Sequence, residues 1–145
     1  MIANAHPMLA VLSESPFTFH LIGSRYVGVF TEKSDYDFLG IVQDYATWAA
    51  FKLWLTDHKF AVQHPNQYGP DRRLYGGDVW TWSDAARAHP SVDVLPVSPE
   101  EAAFRLRWFA TMKAVDNESG LIAKGQKAEK AWPLLWDVLA KFEAP

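Results

Sequence analysis

Asp35 and Asp37, one residue apart, follow a Gly23-Ser24 pair by roughly ten positions. Asp37 lies within, and Asp35 just ahead of, an apolar run, Tyr36-Asp37-Phe38-Leu39-Gly40-Ile41-Val42, that reads as a strand. Side chains alternate across a strand, so Asp35 and Asp37 share one face while Tyr36 and Phe38 share the other. Two neighbouring carboxylates repel each other unless a cation sits between them. Mg²⁺ suits that place, because it prefers oxygen ligands and usually shares its shell with substrate phosphates. Gly23 closes an earlier apolar run over residues 17–22, which reads as a buried strand. A glycine there lets the backbone approach a ligand closely, and Ser24 adds a hydroxyl and free amides. Such a turn leading into a helix start collects anions. Together these residues point to metal-assisted chemistry on a nucleotide.

The string Phe19-His20-Leu21-Ile22-Gly23-Ser24-Arg25-Tyr26-Val27-Gly28, followed by Ser34-Asp35-Tyr36-Asp37, resembles the signature of the nucleotidyltransferase superfamily that includes DNA polymerase β. It looks most like the small nucleotidyltransferases of bacteria and phages. The likeness is specific over residues 19–42 and weak elsewhere, apart from a short segment near Asp93. The resemblance implies a third carboxylate on a later strand. Asp93, in Ser91-Val92-Asp93-Val94-Leu95-Pro96-Val97, is the best match, because a charge among β-branched residues is expensive unless something compensates it. Asp78, in Gly76-Gly77-Asp78-Val79-Trp80, is the rival.

The family's chemistry then assigns roles. Asp35, Asp37 and Asp93 would be the catalytic and metal-holding residues for Mg²⁺ (or Mn²⁺). Gly23 and Ser24 would hold the outer phosphates of an NTP, and a nucleoside monophosphate would pass to a hydroxyl by a two-metal mechanism. Arg25 is a candidate for neutralising the triphosphate, since a guanidinium suits phosphate; a salt bridge to an aspartate is the other use for it. The acceptor is RNA, a protein side chain or a small molecule. A nucleotidyltransferase of a toxin–antitoxin or defence pair fits the same chemistry, and a non-catalytic nucleotide-binding or protein-interaction module that keeps the fold is the alternative of a different class.

Composition sets the outer bounds. A chain of 145 residues, 49% apolar and with seven tryptophans, reads as a single domain, 1–145, with a well-filled core. It has no cysteine, which excludes disulfides, thiolate metal sites and thiol catalysis. No apolar run reaches membrane-span length and the start lacks a basic-then-apolar segment, so a cytoplasmic protein without membrane contact is expected. A net charge of -3 gives no bulk footprint for nucleic acid.

The elements that must position the carboxylates read as an α/β (α+β) arrangement, a nucleotidyltransferase-type mixed sheet flanked by helices with a short C-terminal helical segment. Helices are expected over 6–12, 44–55, 102–115 and 121–142, with Pro133 kinking the last near Trp132. Tyr45, Trp48, Ala49, Phe51 and Leu55 approximate one face of the second. Strands are expected over 17–22, 36–42, 59–63, 78–82 and 92–97, and a loop over 64–75. Ser98-Pro99-Glu100-Glu101 is a helix start, with a serine cap, proline first and acids in the first turn.

Other polar residues read as supporting. Arg72 and Arg73 are expected as solvated loop charges, and Lys124, Lys127 and Lys130 as a solvated helix face. His20 is expected in the core or behind the site rather than as a ligand. Trp80 and Trp82 share a strand face and are expected to pack in the core. Trp132 and Trp136, if they share one exposed side, favour a homodimer.

Overall fold

The computed structural model describes residues 6–63 and 73–119, with backbone alone for 115–119. The expected helix over 121–142, with Lys124, Lys127, Lys130, Trp132 and Trp136, lies outside the described residues, as do Arg72 and most of the expected 64–75 loop.

Five strands form one mixed sheet in the order β1-β2-β5-β4-β3. They are β1 (Phe19–Ile22), β2 (Tyr36–Ile41), β3 (Ala61–Val62), β4 (Trp80–Trp82) and β5 (Val92–Val97). The central pair β2–β5 is parallel and the other pairings are antiparallel. Among the described residues four α-helices flank it: α1 (Pro7–Glu14), α2 (Gly23–Val27), α3 (Tyr45–Asp57) and α4 (Pro99–Ser119). The mixed α/β sheet flanked by helices that the sequence implied is therefore what forms.

Strand alternation sorts the core into two layers. Leu39 of β2 and Val97 of β5 meet Ile22, Val27, Ala102, Trp108, Phe109 and Met112 on the side covered by α2 and α4. Val92 and Val94 of β5 and Trp80 of β4 point the other way, onto Met8 and Leu12 of α1 and Phe51 and Leu55 of α3. Gly40 permits that second layer, because a Cβ there would run into the Phe51 ring. Trp80 and Trp82 both belong to it, so they are core residues as expected.

The helix starts are encoded locally. Asp44 caps α3 by accepting from the Thr47 amide at 2.8 Å, and Ser98 caps α4 by accepting from the Glu101 amide at 3.1 Å. Pro7 opens α1, and an imidazole caps it: His6 Nδ1 accepts from the Met8 amide at 3.1 Å.

Several expectations need correction. α2 was no separate element in the expected order, because five residues bracketed by glycines are too short to show a periodicity. β1 begins at Phe19 rather than at residue 17, and β3 is two residues long rather than five. Tyr45 is 82% exposed at the start of α3, not on its buried face. His20 is exposed on β1 instead of buried, since a strand at the sheet edge leaves its side chain in solvent. α4 runs unbroken to Ser119, past the expected end at residue 115. Among the described residues no helix is long and apolar enough to cross a membrane.

Candidate active site

The strand registers draw one row of residues across the sheet. Ile22 of β1 pairs with Asp37 of β2, Asp37 pairs with Asp93 of β5, and Asp93 pairs with Thr81 of β4. Residues paired in register present their side chains on the same face. Asp37, Asp93 and Thr81 therefore share the α2 side of the sheet, opposite the tryptophans.

Gly23 immediately follows Ile22 and begins α2 with φ 76°. Its backbone lies against Asp37, and a Cβ at this position would collide with Asp37 Oδ2. Only glycine meets both requirements, a left-handed backbone and direct contact with a carboxylate. At the other end of the helix Gly28, with φ 101°, returns its amide to the Ser24 carbonyl at 2.8 Å. Gly23 thus sits against Asp37 at the start of α2, with Ser24 next in the chain.

The Asp37 and Asp93 carboxyls interact directly, which pushes Asp37 up and draws Asp93 down. Burial is the main cause that pushes the Asp37 carboxyl up to about 8, followed by the charge of Asp93, their hydrogen bond and the charge of Asp35. Burial also raises Asp93, opposed by the hydrogen bonds it receives from Thr81 and Asp37. The Thr81 hydroxyl donates to Asp93 Oδ1 at 2.6 Å. Asp35 lies one residue ahead of β2 and is exposed. Its carboxyl is raised by partial burial and by Asp93, against the lowering effect of Arg25.

Arg25 is engaged with its own loop. Nε donates to the Ser34 carbonyl at 3.0 Å, and Nη2 to the carbonyls of Glu32 at 3.2 Å and Thr31 at 3.4 Å. The guanidinium lies 3.9 Å from the Tyr36 ring centre and 4.8 Å from that of Phe30. It ties down the segment that delivers Asp35 to the sheet.

Of the two rivals for a third carboxylate, Asp93 is the one opposite Asp37. Asp78 stands two residues before β4, and the β4 residue facing Asp93 is Thr81. Thr81 escaped the sequence reading because threonine is common in strands. Its signal was a lone polar residue between Trp80 and Trp82, which alternation sends to the other face.

The donor set fits a hard divalent cation. Asp37 and Asp93 offer only oxygen, and a cation between them would offset the repulsion of two neighbouring carboxylates. Among the described residues no three acidic or imidazole groups stand close enough together to form a closed cage, and Asp35 lies apart from the Asp37–Asp93 pair.

No protein-family model matches the chain, and no curated protein matches it. Among solved structures it is similar to those of the Cid1 poly(U) polymerase. The complex with Mg and 3'-dATP is 16% identical, with 76% of this chain and 32% of Cid1 aligned and a TM-score of 0.47. A Cid1 structure described for its RNA terminal uridylyl transferase activity gives 15% identity, 80% and 37% coverage and a TM-score of 0.49. This chain spans about a third of the length of those structures.

Proposed function

We propose that this chain is a divalent-metal-dependent nucleotidyltransferase that moves a nucleoside monophosphate from an NTP to a hydroxyl acceptor. The observation that carries the reading is the in-register pairing of Asp37 with Asp93 against the Gly23 backbone. Asp35, Asp37 and Asp93 would hold Mg²⁺ (or Mn²⁺), whose charge would stabilise the oxygens entering and leaving phosphorus. Gly23 and Ser24 take the outer phosphates at the mouth of α2. Asp93, whose carboxyl is raised by burial, takes the proton of the attacking hydroxyl. The hydroxyl oxygen bonds to the α-phosphorus, the bond from that phosphorus to the bridging oxygen breaks, and pyrophosphate leaves with the electron pair. Arg25 holds the loop that carries Asp35. The acceptor hydroxyl belongs to a protein side chain, an RNA or a small molecule.

The test supplies each NTP, labelled at the α-phosphate, with Mg²⁺ or Mn²⁺ and with acceptors of the three classes. Label should move to an acceptor with release of pyrophosphate, and Asp93→Asn should slow transfer by about 10²–10⁴-fold. Full transfer by Asp93→Asn, or transfer that survives chelation of the metal, would contradict the reading.

A further inference from the structure

We propose that Thr81 is a positioning residue of this site, whose hydroxyl holds the Asp93 carboxylate in the orientation that receives the divalent cation. The inference rests on the metal-dependent reading above and adds a residue to it. Thr81 is the β4 partner of Asp93 in the antiparallel register, and its Oγ1 donates to Oδ1 at 2.6 Å. That length is typical of a charge-assisted bond from a hydroxyl to a carboxylate. The threonine is itself held firmly. Its neighbours Trp80 and Trp82 pack into the α1/α3 core layer on the opposite face, which stops β4 from rotating. A β-branched side chain is also stiff about χ1.

Asp93 is thus gripped from both sides, by Thr81 across β4 and by Asp37 across β2. The two grips differ in what they can do. Asp37 is itself a candidate ligand, so its contact with Asp93 changes when a cation binds between them. Thr81 remains neutral and keeps donating to Oδ1 in either state. It therefore preserves one geometry of Asp93 while the occupant between the aspartates changes. Partners of this kind, one step behind a metal ligand, commonly affect metal affinity by 10–100-fold.

The experiment titrates Mn²⁺ into the full chain at fixed pH and follows free Mn²⁺ by electron paramagnetic resonance. Wild type, Thr81→Val, Thr81→Ser and Asp37→Asn are compared, with circular dichroism and thermal unfolding in chelator to check each fold. Thr81→Val keeps the shape and removes the donor, so Mn²⁺ affinity should fall by about tenfold or more. Thr81→Ser keeps the donor and should bind within about threefold of wild type, a rescue that mere packing would not produce. Should Thr81→Val not fold, Thr81→Ala is read in its place. Binding by the donorless variant equal to wild type, or equal losses in the valine and serine variants, overturns the proposal. Absence of Mn²⁺ binding by wild type is a different result: it removes the metal reading itself, and the role of Thr81 with it.

Discussion

Asp37 is the residue on which the chemistry turns, because its neighbours and its burial make its charge the least welcome in the site. Its folded carboxyl titrates at about 8, against an ordinary 3.8. A raised folded value means that its contribution to stability is complete below about 4 and is lost as pH rises through about 8. Metal-free wild type should therefore lose stability relative to Asp37→Asn across that window, measured by urea unfolding at a series of pH values. A constant difference would show that the carboxyl is not held neutral. Gly23→Ala should disturb the same carboxylate from the other side. The positive φ alone costs roughly 1–2 kcal/mol for a residue with a Cβ, and the collision with Asp37 adds to it. A lowered unfolding temperature together with weakened metal binding is expected; an unchanged melting curve would mean that the turn is not as tight as it stands here. Asp93 was legible because a lone charge in a valine-rich strand demands a partner. Arg25 was harder, since its type suits phosphate and only folding brings three loop carbonyls around it.

At the level of elements, α1 is tied to the site by an imidazole. His6 is buried, with Nδ1 accepting from the Met8 amide and Nε2 donating to the Pro90 carbonyl at 2.7 Å. Its ring also packs edge-on to Tyr36 and Trp82. Burial lowers its affinity for a proton, the Pro90 bond opposes this, and His89 and Arg25 add to the lowering while Asp84 opposes it. A depressed folded value means that the stabilisation is complete above about 6.5 and is lost as pH falls below it. His6→Asn keeps an effective capping side chain but does not titrate. Thermal unfolding of wild type should therefore fall more steeply than that of His6→Asn between pH 6.5 and 5, and parallel curves would contradict the neutral cap. The position of this first helix was readable from sequence, but its cap was not, because histidine is not a usual capping residue. The Ser98 start of α4 was readable, because serine, proline and two acids each favour a helix N-terminus for a separate reason.

For the molecule as a whole, the sheet order is what makes a site from residues far apart in the chain. The parallel neighbours β2 and β5 bring Asp37 and Asp93 together across more than fifty residues, and β4 then adds Thr81. Apolar runs rich in β-branched and aromatic residues gave away the strands, and their order among the helices gave away the fold class. Register is a property of pairing and cannot be read along a single strand, so the choice between Asp93 and Asp78 had to wait for it. The central claim is that this row is a metal-dependent nucleotide site. Its most direct test is isothermal titration of ATP, CTP, GTP and UTP into wild type and Asp37→Asn, each with and without Mg²⁺. Binding of at least one nucleotide that requires Mg²⁺ and vanishes in Asp37→Asn is the predicted result; no binding to any of the four, or binding indifferent to both metal and mutation, would contradict the claim.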